Sequence, residues 1–175
     1  MGLIEDSDFD IRYSKEDDFP FLHKWIGSEE DRKWYPISTD QEVENMARNW
    51  IGFHRYGASL TATYKNEVAG IATLFLMPYR KVIHHCLVYF VVNPEMRRQG
   101  VGTALIKNLN HLGKSYFRFD WMNAEVFEGC PALPLLEKSG YELVVTQEKF
   151  VKEGEEKYLA RHLYQVNFKE FADGK

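Results

Sequence analysis

The segment Phe90-Val91-Val92-Asn93-Pro94-Glu95-Met96-Arg97-Arg98-Gln99-Gly100-Val101-Gly102-Thr103-Ala104-Leu105 runs an apolar strand through a short basic glycine loop into an amphipathic helix. That order of parts aims the carboxyl end of a strand and the N-terminus of a helix at one small volume. Two glycines let the backbone turn there with no Cβ in the way, so successive amide N–H groups can converge. The first helical turn adds N–H groups without intrahelical partners and the positive end of the aligned peptide dipoles. Phosphate or diphosphate suits such a place. Amide bonds to a charged oxygen contribute about 1.5–3 kcal/mol each, and Arg97 and Arg98 stand alongside.

The rest of the chain sets this loop among alternating strands and helices. Phe9-Asp10-Ile11-Arg12-Tyr13 alternates as a strand, and Asp17-Asp18 offers an N-cap to a helix with Phe19, Leu22, Trp25 and Ile26 on one side. From Asp40, the spacing of Val43, Met46, Ala47 and Trp50 predicts a second helix to about Tyr56, ended by Gly57. Between them Glu29-Glu30-Asp31-Arg32-Lys33-Trp34-Tyr35-Pro36 is a charged and aromatic connection. Residues 59–64 and 68–77 read as a hairpin about Lys65-Asn66-Glu67. Residues 85–92 are apolar on both faces, as a central covered strand requires. Val101, Leu105, Leu109 and Leu112 then form one helical stripe ending near Gly113. A strand within 117–127, a short helix over 131–140 and a last hairpin, 141–151 with 158–168, complete the chain. The predicted order is β-α-α-β-β-β-α-β-α-β-β, an α/β (α+β) fold with about seven strands and four helices in one domain spanning 1–175, with its core at about 9–168.

Neither G-x-x-x-x-G-K-[ST] nor G-x-G-x-x-G can be read in the loop. What fits is Arg97-x-x-Gly100-x-Gly102 after Val91-Val92-Asn93-Pro94. This resembles the acyl-coenzyme-A loop of the GCN5-related N-acetyltransferase (GNAT) family, whose element order is the one predicted. Asp10-Ile11-Arg12, Glu67-Val68-Ala69-Gly70 and Leu136-Glu137-Lys138-Ser139-Gly140-Tyr141 resemble family patterns in their expected places. The resemblance implies a mixed, mostly antiparallel sheet. It also implies that Arg97, Arg98, Gln99, Gly100, Val101, Gly102 and Thr103 hold the diphosphate of acetyl-CoA, a co-substrate, while the backbone of Phe90, Val91 and Val92 pairs with the pantetheine arm.

By the same resemblance the reaction is direct attack of a primary amine on the thioester in a ternary complex, without a metal. A lysine-like amine of pKa about 10.4 is almost wholly protonated at neutral pH, a deficit of about 3.4 units or roughly 4.6 kcal/mol. A general base would relieve it, and a general acid would protonate the departing thiolate. His85, at the entry of the central strand, is the candidate base, with His84 on the opposite strand face as its rival. Leu136 stands where the family often carries its general-acid tyrosine, and Gly129-Cys130-Pro131 where an Asn often precedes the helix. Water, Tyr141 or Tyr164 is left to supply the proton; a thiol at Cys130 can approach the coenzyme's sulfur, but a buried, inert thiol is the favoured reading. Trp34 and Tyr35 lie on the connection that shapes the acceptor pocket in the family, with Glu29, Glu30 and Asp31 available to attract a cation. Lys33, His111 and Asn123 read as surface or structural. The departure at Leu136 keeps a second possibility open, a non-catalytic acyl-CoA-binding sensor or regulatory module on the same fold. The bare cradle also admits another phosphorylated ligand.

Composition narrows the setting. The chain has 175 residues, 45% hydrophobic, enough for one sizeable core. The 15% aromatic share includes four Trp, more than a core of this size needs, which points to a binding surface. A net charge of −4 argues against general nucleic-acid affinity and mildly favours a cationic acceptor. No apolar run reaches the roughly 18–20 residues of a membrane span, and the acidic start Glu5-Asp6-Ser7-Asp8 is unlike a signal peptide. With isolated Cys86 and Cys130, this predicts a cytoplasmic protein without membrane contact. The family often forms homodimers; nothing in this sequence marks an interface.

Overall fold

The computed structural model describes residues 9–169, and the segment Glu5-Asp6-Ser7-Asp8 lies outside them. The strands are β1 (Phe9–Tyr13), β2 (Ser59–Tyr64), β3 (Glu67–Leu76), β4 (His85–Val92), β5 (Trp121–Phe127), β6 (Glu142–Lys152) and β7 (Tyr158–Asn167). They form a 7-stranded sheet in the order β1-β2-β3-β4-β5-β7-β6. Among the described strands only the β4–β5 pair is parallel. The helices are α1 (Phe19–Gly27), α2 (Glu29–Arg32), α3 (Asp40–Gly52), α4 (Val101–His111) and α5 (Leu133–Lys138).

The predicted order is the order found, with α2 added inside the stretch read as a connection. Ser28 caps it by accepting from the Asp31 N–H at 3.2 Å, and three acids in its first turn suit the helix dipole. After α3 the chain tightens into a 3₁₀ turn, Phe53–Tyr56, and Gly57 ends it at φ 64°. Lys65 and Asn66 turn the β2–β3 hairpin, both at positive φ, the backbone twist such tight hairpins prefer. The end of α4 differs from expectation. The chain does not stop at Gly113 but widens into a π turn, Leu112–Tyr116. A Cβ at Gly113 would overlap Met122 Sδ, so that glycine serves packing on β5.

Helices cover the two faces unequally. On one face Val88, Val101, Leu105, Ile106, Leu109, Met122 and Leu136 join α4, α5 and the sheet in one core. On the other, Leu22, Ile26, Ala47 and Trp50 of α1 and α3 pack on Ile71 and Val91. Burying a large apolar side chain contributes about 1.5–3 kcal/mol, so both layers are substantial. Beneath α3, Trp50 Nε1 donates to Thr73 Oγ1 at 2.8 Å. A hydroxyl chain through Ser59, Ser14 and Thr61 leads on to the Asp18 carboxylate. Among the described residues no helix is long and apolar enough to cross a membrane.

The feature that positions the site is a fork. The β4–β5 ladder runs only from His85↔Trp121 to Val88↔Ala124. Beyond it β4 stays paired with β3 as far as Val92, while β5 continues along β7 to Phe127, and the two strands separate.

Candidate functional site

A cavity of about 540 Å³ opens in this fork. Its walls are Val88–Val92 of β4, Ala124–Val126 of β5, the start of α4, the segment from Cys130 into α5, and Asp31, Trp34 and Tyr35. The Asn93 N–H bonds the Ala69 carbonyl across β3 at 2.8 Å. Antiparallel alternation therefore turns the N–H and C=O groups of Phe90 and Val92 toward the open edge. The Phe90 carbonyl accepts from the Tyr35 hydroxyl at 3.2 Å. The Val92 carbonyl accepts from Arg97 Nε at 3.3 Å and Nη2 at 3.2 Å.

The mouth of the cavity is the N-terminus of α4. Gly100 precedes the helix at φ 92°, a conformation closed to most L side chains, and Arg98 is also left-handed at φ 60°. The first intrahelical bond is Ala104 N–H to Gly100 C=O at 3.0 Å, and no side chain caps the end. The amides of Val101, Gly102 and Thr103 thus remain open. Arg97, Arg98, Gly100, Gly102 and Thr103 line the cavity, whereas Gln99 and Val101 do not. Val101 is buried in the α4 core, where a Cβ on Gly70 would meet its Cγ1 at 3.2 Å. Gly102 lets α4 approach α5, since a Cβ there would stand 2.8 Å from Leu135 Cδ2.

Two charges expected to be free are paired. Arg97 Nη2 contacts Asp31 Oδ2 at 2.6 Å, and Asp31 is 4% exposed. Arg97 is thereby tied to α2 and to Val92, leaving Arg98 as the exposed guanidinium at the helix mouth; Asp31 is no solvated lure for cations. Glu29 and Glu30 are exposed, and Lys33 lies over the Trp34 ring at 4.9 Å.

Trp34 and Tyr35, the predicted substrate-binding pair, both line the cavity. Tyr35 packs edge-on against Trp50 with centroids 5.9 Å apart, and burial holds its hydroxyl well above the usual phenol range. Leu136 lines the cavity and is 1% exposed, so that wall is apolar. Cys130 lines it too, and burial pushes its thiol upward, away from thiolate. Tyr141 and Tyr164 do not reach it: both are buried elsewhere, and Tyr141 donates to Asn110 Oδ1 of α4 at 2.8 Å. Asn123 is structural as expected, accepting from Gln165 Nε2 at 2.9 Å. His111 is exposed.

His85 also lies outside the cavity. It is four residues before Tyr89, about 13 Å along a strand. Its ring stacks on Trp121 at 5.5 Å and 10°, edge-on to His84 at 4.7 Å. Burial, then the neighbouring His84, lowers its pKa, and Nδ1 is buried without a hydrogen-bond partner among the described residues.

The fork itself carries a polar group that no sequence motif marks. Tyr89 and Glu125 are the first residues of β4 and β5 beyond the shared ladder. The Tyr89 hydroxyl donates to Glu125 Oε1 at 3.2 Å, and Arg161 Nη1 of β7 contacts Glu125 Oε2 at 2.5 Å. Burial and then Glu125 raise the Tyr89 pKa. The available signal was a carboxylate within Trp121-Met122-Asn123-Ala124-Glu125-Val126-Phe127, an otherwise uncharged strand.

The fold has counterparts in solved structures. The Salmonella typhimurium protein yncA with its cofactor acetyl-CoA superposes with a TM-score of 0.78 at 17% identity, over 94% of this chain and 96% of that one. The ribosomal-protein-alanine N-acetyltransferase of Brucella melitensis gives 0.76 at 21% identity, over 91% and 99%. RimL, the ribosomal L7/L12 alpha-N-protein acetyltransferase in complex with coenzyme A, gives 0.70 at 12%, over 94% and 97%. No curated protein sequence matches the chain significantly. The model of the Acetyltransferase (GNAT) family matches residues 13–141, and the chain belongs to that family.

Proposed function

We propose that the protein is a cytoplasmic N-acetyltransferase that passes the acetyl group of acetyl-CoA to a primary amine by direct attack in a ternary complex, without a metal. The observation that carries this is the fork, with unpaired strand backbone on one side and the uncapped N-terminus of α4 at its mouth. The diphosphate sits on the amides of residues 98–103 beside Arg98, and the pantetheine amides pair with the open edge of Phe90–Val92. The acyl end then lies between Tyr89 and Glu125. Glu125 holds the ammonium and draws off its proton, and the neutral nitrogen attacks the thioester carbonyl. Tyr89 protonates the departing thiolate, the role left vacant at Leu136, the nitrogen's remaining surplus proton returns to the Tyr89 oxygen, and Glu125 releases its proton to solvent. The described chain acts as one domain.

Leu136 favours a second reading, a non-catalytic acyl-CoA sensor. Calorimetry with coenzyme A and a thiol-release assay across an amine panel separate the two. Binding with acceptor-dependent thiol release supports the enzyme; binding with no release on any amine supports the sensor; no binding overturns both.

A further inference from the structure

The ion pair at the fork is set up to choose the acceptor. Glu125 and Arg161 fall on the same sheet face as Tyr89, since β5 and β7 pair at Glu125↔Leu163 and Phe127↔Arg161. Helices α1 and α3 shelter that face over β3 and β4, and their core includes no residue of β5, β6 or β7. The pair is consequently reachable from solvent on the side away from α4: the Arg161 side chain is 23% exposed and that of Glu125 10%. Gln147 Oε1 of β6 takes Arg161 Nε at 2.7 Å, and the Phe150 ring lies 4.2 Å from the guanidinium carbon. These contacts fix the guanidinium plane and leave Nη2 without a protein partner among the described residues.

A partly buried ion pair adds little stability over apolar residues of similar size, so its place at the fork calls for another use. We infer that this pair reads an α-amino acid, with Glu125 taking the ammonium and Arg161 the carboxylate on the adjacent carbon. The two protein charges touch, and so do the two charges of a zwitterion, which match them in reverse. A diamine or polyamine would set its second cation against Arg161. A simple amine would leave the guanidinium donors to water. The neutral sum of the pair also cancels the mild preference for cationic acceptors that the overall charge suggested.

This inference rests on the N-acetyltransferase proposal, and thiol release separates their failures. The full chain, saturated with acetyl-CoA, is given each common amino acid, its primary amide and its decarboxylated amine. The free acid is expected to exceed its amide in kcat/KM by about tenfold or more, the worth of a charge-assisted hydrogen bond. Arg161→Gln should bring that acid-to-amide ratio to about one, and Arg161→Lys should recover part of it. Retained coenzyme A affinity in both variants reports an intact fold. Amides or simple amines turned over as well as acids by the wild type, or an acid preference that survives Arg161→Gln, would overturn the inference and leave the enzyme proposal standing. Coenzyme A binding with no release on any acceptor would overturn both.

Discussion

Replacing Gly100 tests the anion cradle in a way that separates strain from charge. Gly100 sits at φ 92° with nothing within 4 Å of where a Cβ would go, so Gly100→Ala meets no neighbour but is forced into a backbone region L residues avoid. That strain costs about 1–3 kcal/mol in the free and bound protein alike. Thermal unfolding should fall by about 2–12 °C for a chain of this size, while coenzyme A affinity stays close to wild type. Gly100→Asp carries the same strain and adds a carboxylate at the helix mouth. Two unit charges about 6 Å apart repel by about 0.7 kcal/mol in water and about 2.8 kcal/mol at an effective dielectric of 20. A diphosphate bears two such charges, so affinity should drop by about tenfold to ten-thousandfold. Calorimetric titration with coenzyme A measures the affinities and a melting curve the strain. Equal affinities for the Ala and Asp variants would refute the assignment of the diphosphate to this helix end.

Three further outcomes follow from the geometry. Tyr89→Phe removes the hydroxyl at the fork and should lower kcat by about a hundredfold with coenzyme A affinity retained; unchanged kcat in steady-state assays would take the proton donor elsewhere. His85→Ala lies outside the cavity and should leave turnover within about twofold of wild type, below the range of a lost general base; a loss of that size would return the base to His85. For Asp18, burial alone would raise the carboxyl pKa, but bonds from Arg12, the Lys15 N–H and Thr61 outweigh it and hold it below its ordinary value. Its stabilisation is present above the unfolded value of about 3.9 and is lost as pH falls through the lower folded value. Asp18→Asn should therefore lower urea midpoints at pH 7 and differ little from wild type near pH 2; an equal deficit at both would refute the linkage.

Elements were legible where the local pattern and the tertiary context agree. The unbroken apolar run of β4 and the 3.6-residue stripe of α4 each carry one signal, and the bounds of β4 and the start of α4 match expectation, while the end of α4 runs on into the π turn. The α2 turn was not legible because Glu29-Glu30-Asp31 reads as a solvated run, and only Asp31's partner across 66 residues explains its burial. The tie of Arg97 to Asp31 is hidden for the same reason, since adjacency to Arg98 says nothing about Asp31. His85 was placed on the right strand, but strand period gives a face and not a distance from the fork. Glu125 needed the fork itself, and where two parallel strands part is written in no local pattern.

The fork imposes a cost that the residues around it meet. Parting β4 from β5 strips partners from the backbone of Phe90 and Val92, and a buried carbonyl left unsatisfied costs about 1–3 kcal/mol. Tyr35 and Arg97 supply the missing donors, so the open edge keeps its acceptors filled and its N–H groups directed at the cavity. Arg97 is in turn held by Asp31, which makes α2 part of the same support. The first Arg of the loop motif thus props the fork open while also lining the cavity. A carbonyl-bearing arm can then dock on the free N–H groups without displacing either side chain. An arm that also needed an acceptor would find the second lone pair of the Phe90 carbonyl beside Tyr35, whereas the Val92 carbonyl already takes two donors from Arg97.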